Sequence, residues 1–463
     1  MKQSAARTTK NPFSFLLFIC VFCFSLYTHA QRAPCQNIKD PKNTIQINEK
    51  NPGHKLWGFG ASLTDSSVYH LEQMTPTQRK NVFQHLFSKE VGMGLDILRI
   101  PVGSSDFTRP EKGYYTYNDT PNNATDESFK YFSFDKDKSL IQYLKEIKKS
   151  YPHVKLFLTP WSAPAWMKLN KDLTGQSSPN KLDPQFYKAF SEYLFKVAKF
   201  YESQGIPAFG ITLQNEPAFD SARYPSMGMS AQEQGLLIRD FVGPKLLLLK
   251  NKIQIYALDH NWDMEWYIDD LMKVSGVSNY LSGIAFHCYG GNIDVMAKIR
   301  RKYPHLEVIQ TECTGWGPVQ AWDFGWWLHH QVIESTKLGS SASLAWNLIL
   351  DEKGGPYNGA YCTDCRGLLE ANSISRVAIT NPETQALGLA SRLIDSNTRY
   401  VQSWGEDPEI QHLIIQQGTK KLGAVIMNYS KTDREIQIID QQCKTAFLKS
   451  PTLTGTRFLF EMR

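Results

Sequence analysis

Two glutamates follow apolar runs of the kind that form buried β-strands. The stretch ITLQNEP carries Glu216, and the stretch VIQTEC carries Glu312. Burying a carboxylate without a partner is costly, so a chain that places two of them at the ends of strands is expected to use them in chemistry. The residue types also allow a structural alternative, in which the carboxylates form an ion-pair network with Arg99.

Two carboxyl groups that face each other match the requirements of glycoside hydrolysis. One attacks the anomeric carbon, and the other protonates the leaving oxygen and then activates water. A separation of about 5 to 5.5 Å predicts retention of the anomeric configuration, whereas a wider gap predicts inversion. The attacking carboxylate must stay ionised, which a nearby cation such as Arg99 favours. The acid must keep its proton, which the neighbouring carboxylate favours.

The elements that would position these groups are short β-like runs that alternate with helix-compatible stretches. Eight such alternations over roughly 330 residues predict an α/β chain that folds as a (β/α)8 TIM barrel. The alternative is an open doubly wound sheet, but its glycine pattern is reduced to a lone Gly58-Phe-Gly60. The eight runs are LWGFGASL, DILRIPVG, VKLFLTPWSAP, FGITLQNEP, KIQIYALDHN, LSGIAFHCYG, LEVIQTECTGW and SASLAWNLIL.

Polar and aromatic residues gather where these runs end, and in a (β/α)8 barrel the chemistry lies at the carboxyl ends of the strands. Each residue alone has an ordinary explanation as packing or as a hydrogen-bonded structural group, but their shared position predicts one site. His287 and Tyr289 lie two residues apart, so both can face the barrel interior. Asn215 and Glu216 would point to opposite faces unless the strand ends or kinks at Pro217. The residues at these ends are Arg99, Asp106, Trp161, Asn215, Glu216, Asp259, His260, His287, Tyr289, Glu312, Trp346 and Asn347.

The two ends of the chain read differently from its middle. After about residue 398, the runs EIQHLIIQQG, KLGAVIMNYS, REIQIID and TRFLFEM alternate as antiparallel strands do. Together with TIQINEK, near residues 44–50, they predict a side antiparallel β-sandwich built from the N-terminal strand and the C-terminal segment. The predicted domains are a secretory signal at 1–30, the N-terminal strand at 31–54, the catalytic barrel at 55–385 and the C-terminal sandwich at 386–463.

The first thirty residues have the features of a secretory signal. A basic start precedes the apolar run FSFLLFICVFCFSLY and the small-x-small ending Thr28-His29-Ala30. An uncleaved membrane anchor is the alternative, although a run of about 15 residues is short for a span. We therefore expect a secreted or exported protein, in a periplasm, an extracellular space or a lumen.

Cys362 and Cys365 predict a local disulfide or free thiols rather than zinc, because zinc needs four ligands.

Charge and motifs restrict the partners. The net charge is +6, and without Lys2, Arg7 and Lys10 the balance is 48 basic to 45 acidic residues, or about +3. This is too mild to indicate nucleic acid, and no second apolar segment predicts stable membrane insertion. Since a P-loop, a dinucleotide fingerprint, HExxH and a His/Cys metal cluster are all missing from the sequence, we expect no cofactor and no metal. The oligomeric state stays open. Glycosylation sequons occur at Asn118, Asn123 and Asn428.

Six sequence words point to a known family. They are Gly58-Phe-Gly-Ala-Ser-Leu-Thr-Asp65, Arg99-Ile-Pro-Val, Ser105-Asp-Phe107, Thr159-Pro-Trp-Ser-Ala-Pro-Ala-Trp-Met-Lys168, Leu213-Gln-Asn-Glu-Pro217 and Trp346-Asn347. These words resemble the glucosylceramidase family, glycoside hydrolase family 30. The resemblance extends in the same order over nearly all of the chain beyond the predicted signal, including the C-terminal β module.

The resemblance implies hydrolysis of β-glucosidic bonds by double displacement and a role for each matching residue. Glu216 would be the general acid/base, Glu312 the nucleophile, and Asn215 the partner of the sugar 2-hydroxyl group. Tyr289 would hydrogen-bond the nucleophile. The residues that it implies around the substrate are Arg99, Asp106, Trp161, Asn215, His287, Tyr289 and Trp346, of which Asp106 and the two tryptophans would line the pocket for the non-reducing glucose.

The family includes lysosomal-type glucosylceramidases and endo-β-1,6-glucanases, and several positions lean toward the second group. Cys288 stands where the lysosomal enzymes carry Trp, Cys313 replaces their Ala after the nucleophile, and the loop at 362–367 is not theirs. Both cysteines are predicted to point outward into packing. We expect a retaining β-glycosidase that acts on glucosylceramide or a related β-glucoside, with an endo-β-1,6-glucanase as the alternative. A carbohydrate-binding barrel without catalysis is disfavoured because both glutamates are present.

Overall fold

The computed structural model describes residues 35, 38–419 and 421–462. The predicted secretory signal at residues 1–30 lies outside the described residues. In the described part of the chain, no helix combines the length and apolar character needed to cross a bilayer. The strands, in chain order, are β1 (Thr44–Asn48), β2 (Gly58–Ser62), β3 (Ile97–Val102), β4 (Lys155–Pro160), β5 (Ala208–Thr212), β6 (Gln254–Asn261), β7 (Leu281–His287), β8 (Glu307–Glu312), β9 (Gly315–Trp316), β10 (Ser340–Asp351), β11 (Cys365–Ala371), β12 (Ala378–Thr380), β13 (Arg399–Gly405), β14 (Ile410–Gln417), β15 (Lys421–Asn428), β16 (Arg434–Ile439), β17 (Thr445–Ser450) and β18 (Thr454–Phe460).

Eight of these strands close into a parallel barrel. Strands β2 to β8 follow one another around it, and β10 closes it by pairing with both β8 and β2. Each of these strands coincides with one of the eight predicted runs, and only β5 and β10 extend beyond their runs, β5 by one residue at its start and β10 by one residue at each end. The predicted TIM barrel is therefore confirmed. The lower part of the barrel interior is a packed apolar plug, formed by Ile97, Phe157, Tyr256, Ala285, Ile309, Ala342 and Leu344.

The helices form the layer outside the barrel. Helix α2 begins with a capping box: the Thr75 side chain accepts from the Gln78 backbone N–H, and the Gln78 side chain accepts from the Thr75 backbone N–H. The helices are α1 (Asp65–Glu72), α2 (Pro76–Phe87), α3 (Lys138–Ser150), α4 (Tyr187–Ser203), α5 (Ala231–Leu236), α6 (Gly243–Leu246), α7 (Glu265–Met272), α8 (Val295–Lys302), α9 (Asp323–Trp326), α10 (Ser335–Lys337) and α11 (Pro382–Ser391). Two π-helical segments, Leu237–Val242 and Trp327–Glu334, join α5 to α6 and α9 to α10.

Strand β10 is twelve residues long and extends beyond the barrel ladder. Its second half pairs with β11 in parallel, and β11 pairs antiparallel with β12 and with the short β9. This extension holds the loop between β10 and β11 close to the carboxyl end of β8, because β9 follows β8 directly.

A second body is a sandwich of two sheets that share β13. Residues 402–405 of β13 pair with β1, and residues 399–401 pair with β14. One sheet has the order β17-β16-β1-β13 and the other β13-β14-β15-β18, and both contribute to a single apolar core. The predicted antiparallel arrangement is wrong for one pair, since β1 and β16 run parallel. Strand β1 comes from the other end of the chain, so no hairpin fixes its direction.

The predicted domain limits stay a prediction, and the limit between residues 385 and 386 falls inside α11. The sequons differ in access, since Asn118 and Asn428 are fully buried while Asn123 is exposed.

Three disulfides connect the described cysteines. Cys362–Cys365 confirms the local bridge that the sequence allowed. Cys288 and Cys313 were predicted to point outward into packing, without a bond between them being foreseen; they form a disulfide that links the ends of β7 and β8. Gln331, in the outer π-helical segment, donates to the Cys313 sulfur, which places this bridge on the outside of the barrel wall. The third bridge is Cys35–Cys443, which ties the N-terminal segment to the C-terminal sandwich.

Candidate active site

The inward-facing rows of the strands change from apolar to polar above the plug. Two residues beyond Ile97 lies Arg99, and two beyond Ala285 lies His287, because side chains alternate along a strand. Arg99 is fully buried. The polar residues that the sequence placed at separate strand ends therefore meet on one surface.

Three strands break this alternation at the same end by an extra residue. The β7–β8 register passes from Gln310 to Glu312 and skips Thr311. The β6–β7 register skips Asp259, and the β10–β2 register skips Trp346. Such bulges re-aim side chains and concentrate beside active sites. The bulge in β8 explains why the adjacent residues Thr311 and Glu312 both reach the site.

Arg99 is the cation at the centre. Its guanidinium donates to Glu312 Oε2 at 2.5 Å, to Asn215 Oδ1 at 2.7 Å and to Asp259 Oδ2 at 3.0 Å. Burial alone would lower the pKa of Arg99, but Asp259 and Glu312 outweigh it and raise the pKa. The ion-pair alternative is thus partly correct, since Glu312 is tied to Arg99.

Asp259 is an anchor that the sequence marked only as a strand-end residue. Its carboxylate accepts from Thr311 Oγ1 at 2.6 Å and from Thr212 Oγ1 at 2.7 Å, besides Arg99 and His287. Burial would raise its pKa, but Arg99 and His287 lower it well below the usual range. The φ angle of Asp259 is 64°, a left-handed backbone at the bulge. Asp259 is therefore a buried anion that orients residues from four other strands of the barrel.

Glu312 is the last residue of β8 and is held from two sides. Arg99 donates to its Oε2, and the Tyr289 hydroxyl donates to its Oε1 at 3.0 Å. The second bond is the one that was predicted for Tyr289. The disulfide between Cys288 and Cys313 lies directly beside both residues in the chain. Glu312 is 6 % exposed, so its carboxylate has little freedom to move.

Glu216 reaches the site by a different route from the one predicted. Strand β5 ends at Thr212, so neither Asn215 nor Glu216 belongs to it and Pro217 does not end it. The Asn215 and Glu216 backbone N–H groups still bond to the neighbouring β4 and β6 segments, at 2.8 and 2.9 Å. Glu216 has a φ of 46°, and this kink lets both side chains turn inward. The expectation of a kink is correct, but it lies at Glu216 itself.

His287 bridges the carboxylates. Its Nδ1 lies 3.0 Å from Glu216 Oε1, and its Nε2 lies 3.2 Å from Asp259 Oδ1. Burial alone would lower the pKa of His287, but Glu312, Asp259 and Glu216 raise it to about 9. The imidazole is therefore protonated at neutral pH, and both ring nitrogens donate.

The two glutamates lie close together across the end of the barrel. Ligand atoms of Glu216, His287 and Glu312 fall within 4.8 Å of one another. A metal ion there would have to displace the proton of His287, so this set suits proton transfer better than metal binding. A second group in the described residues, His329, His330 and Glu334, has the same spacing because 329 and 330 both lie one π-helical turn from 334.

The pKa values of the two glutamates move in opposite directions. At Glu216 burial would raise the pKa, but the hydrogen bond and charge of His287 lower it. At Glu312 burial raises the pKa, and His287 and Arg99 offset this only in part. The predicted roles require the acid, not the nucleophile, to hold a proton. In this arrangement the exchangeable proton lies on His287, one hydrogen bond from Glu216.

The predicted tryptophans lie beneath Arg99. The rings of Trp161 and Trp346 stack with centroids 5.1 Å apart, and the guanidinium lies 4.8 Å from the Trp161 ring. They are 2 % and 3 % exposed, so packing accounts for most of their surface. Asp106 is half-buried, and burial followed by the charges of Glu312 and Glu216 raises its pKa. All nine predicted residues gather here, and their roles toward a substrate stay a prediction.

His260 also lies at the site, although it was predicted only as a strand-end residue and was given no role. Its Nδ1 lies 3.9 Å from Glu216 Oε1 and has no hydrogen-bond partner among the described residues. Burial lowers the pKa of His260, so it is neutral. The signal for His260 and Asp259 was their place at the end of the fifth run.

Comparison with known proteins places these features in one group. The family model described as the glycosyl hydrolase family 30 TIM-barrel domain matches residues 56–371. The chain is 30 % identical over 366 residues to an endo-1,6-β-D-glucanase of Aspergillus fumigatus, covering 74 % of this chain and 72 % of that one. It is 26 % identical over 321 residues to the lysosomal acid glucosylceramidase of Mus musculus, covering 65 % and 61 %. A solved endo-β1,6-glucanase structure superposes with a TM-score of 0.82 at 25 % identity, covering 91 % and 94 %.

Proposed function

The chain belongs to glycosyl hydrolase family 30, and from this membership we propose that it cleaves β-linked glucose units with retention of configuration. It is a glycoside hydrolase; the retaining mechanism is our inference. The observation that carries it is the approach of Glu216 and Glu312 oxygens to within 4.8 Å. Inverting enzymes need about 6.5–9.5 Å between their carboxyl groups to admit a water molecule.

In the first step Glu312 attacks the anomeric carbon. Arg99 and the Tyr289 hydroxyl both bind its carboxylate in the ionised form and fix its direction. Glu216 donates a proton to the leaving oxygen from the opposite side. Asn215, whose side-chain oxygen accepts from Arg99, would hydrogen-bond the sugar 2-hydroxyl group.

The proton for this step comes from His287. The charged pair His287–Glu216 and the neutral pair differ only in the position of one proton along a 3.0 Å hydrogen bond. A substrate that covers the site removes water, and a less polar environment favours the neutral pair. Glu216 then becomes the acid. Once Glu312 is esterified, its negative charge is gone, so the pKa of Glu216 falls and it serves as the base toward water.

We place a β-1,6-linked glucan first among substrates and glucosylceramide second. Support for the glucan comes from the three relatives named as endo-1,6-β-D-glucanases, which match at 29–30 % identity over 71–74 % of this chain. The relatives named as glucosylceramidases match at 26–30 % identity over 65–69 % of it. The Cys362–Cys365 bridge adds support, because it constrains the loop after β10 that borders the site. The three disulfides fit an oxidising compartment, so we also propose export.

The test is a product profile with stereochemistry. The purified protein is incubated separately with a β-1,6-glucan and with glucosylceramide, and the anomeric protons of new ends are followed by NMR. We expect β-anomers to appear first, from the glucan. Initial α-anomers would overturn retention. Release of glucose and ceramide without action on the glucan would make the second substrate the correct one.

A further inference from the structure

Three aromatic rings lie between the candidate active site and solvent and have no role in the mechanism above. They are Phe219, Tyr224 and Tyr361, and we call them the outer aromatic cluster. Their ring centroids lie 5.7 to 6.4 Å apart in all three pairs. Tyr224 is 7 % exposed, whereas Phe219 is 37 % and Tyr361 is 53 % exposed. Phe219 and Tyr361 therefore offer part of their rings to solvent next to the buried Tyr224.

The outer aromatic cluster is continuous with the site. Tyr224 belongs to the same buried group as Trp161 and Trp346. Burial raises the pKa of the Tyr224 hydroxyl, and the charges of Asp106, Glu216 and Glu312 raise it further, which places this hydroxyl near those carboxyls. The Phe219 backbone N–H donates to the Glu216 carbonyl at 2.9 Å, so Phe219 lies on the turn that carries Glu216.

The loop that carries Tyr361 is held in place by its neighbours. The Arg223 guanidinium lies 4.5 Å from the Tyr361 ring and donates to the Ala360 carbonyl at 2.9 Å. The Tyr114 hydroxyl lies 2.6 Å from the Arg223 carbonyl and 2.8 Å from the Asn358 carbonyl, which joins the two loops. A disulfide begins at the residue after Tyr361. Fixed rings lose little entropy when a ligand stacks on them.

We propose that Phe219 and Tyr361 form a stacking site for a sugar ring in the leaving-group half of the substrate. This inference rests on the proposed function, because the acid contacts the leaving oxygen and the leaving group must lie beside Glu216. The C–H face of a pyranose matches an aromatic ring, and Arg223 supplies donors for its hydroxyl groups. An acyl chain would instead leave this guanidinium facing apolar carbon.

The test measures binding and turnover separately. Binding of β-1,6-linked glucotetraose is measured by calorimetry to Glu312→Gln and to Glu312→Gln/Tyr361→Ala. Turnover of gentiobiose and of an aryl β-glucoside, whose leaving group is not a sugar, is measured for Tyr361→Ala. We expect affinity and gentiobiose kcat/KM each to fall roughly tenfold, about the strength of one aromatic contact, with the aryl glucoside unchanged. Tyr361→Phe keeps the ring and should keep both values.

The matched control is Tyr303→Ala, at a partly exposed tyrosine beside the amino end of β8 and therefore at the opposite end of the barrel. Equal affinity in the two Glu312→Gln proteins would overturn the stacking site. So would a Tyr361→Ala defect confined to glucosylceramide, which would assign the rings to an acyl chain. Failure of the unmodified protein on every glucoside would instead refute the proposed function, while the calorimetry would still decide the stacking site.

Discussion

Glu312 and Glu216 face each other across the barrel, yet the structure holds them by different means. Glu312 ends a regular strand, pairs with Arg99, receives a hydroxyl and adjoins the Cys288–Cys313 disulfide. Glu216 lies four residues beyond its strand, on a left-handed residue, with His287 as its near partner. A group that forms a bond to carbon needs a fixed position, whereas a group that exchanges protons needs a proton source.

Replacing Glu312, the carboxylate that is held in a fixed position, should have the largest effect on activity. Glu312→Gln removes the attacking oxygen, so we expect kcat to fall by about 10⁴-fold or more on every substrate. Steady-state hydrolysis of an aryl glucoside measures it. The matched control is Glu307→Gln at the other end of β8, where the side chain bonds Trp57 and Tyr256; stability should fall there and activity remain. Comparable activity in Glu312→Gln and the unmodified protein would refute the nucleophile assignment.

Loss of the proton-exchanging carboxylate should depend on the leaving group. For Glu216→Gln we expect kcat/KM to fall roughly 10²–10⁴-fold on gentiobiose, whose leaving oxygen needs a proton. The loss should be much smaller on a dinitrophenyl glucoside, whose leaving group departs as an anion. A series of aryl glucosides with different leaving-group pKa values measures the dependence. An equal loss across the series would mean that Glu216 does not act as the acid.

Replacing His287, the proposed proton source, should shift the pH dependence of kcat/KM. Because His287 has a pKa of about 9, activity should decline as the pH rises through that value. In His287→Gln the alkaline limb should shift to lower pH, since Glu216 must then keep its own proton. The pH dependence of kcat/KM measures this, and His260→Gln, beside the same carboxylate, should leave the limb near 9. An unshifted limb in His287→Gln would exclude the proton transfer.

The same imidazole affects stability. The folded pKa of about 9 lies above the value of about 6.5 in an unfolded chain. Its charge therefore stabilises the fold fully below about pH 6.5, and this contribution disappears as the pH rises through about 9. Thermal unfolding of the unmodified protein and His287→Gln should differ most at pH 6 and least at pH 10. The reverse order would show that His287 is neutral in the fold.

Removing the Cys288–Cys313 disulfide, which lies beside Glu312, should give the smallest change in activity. For the pair Cys288→Ala and Cys313→Ala we expect a loss of about 3 kcal/mol of stability and a several-fold lower kcat with little change in KM. The Cys362→Ala/Cys365→Ala variant removes a bridge that closes a far shorter loop, so its stability should change less. Melting temperatures and steady-state kinetics measure both. An unchanged kcat in the Cys288→Ala/Cys313→Ala variant would show that Arg99 and Tyr289 suffice to position Glu312.

The sequence predicted the barrel because its signals are local. Each barrel strand is a short apolar run followed by a helical stretch, and α2 carries its own cap. The C-terminal strands β14, β15 and β16 likewise lie within predicted runs, and β18 overlaps the last one. Strands β13 and β17 were missed. The parallel pairing of β1 with β16 was missed as well, because partners at opposite ends of the chain leave no local signal.

The residue types and strand-end positions by themselves determined which side chains meet: carboxylates, an arginine, a histidine and a tyrosine at the same end of parallel strands. Only the tertiary structure decided how they meet. The bulges at Asp259, Thr311 and Trp346 and the kink at Glu216 depend on register between neighbouring strands, which a single strand does not encode. The Cys288–Cys313 bridge and the raised pKa of His287 depend in the same way on groups that only folding brings within bonding distance.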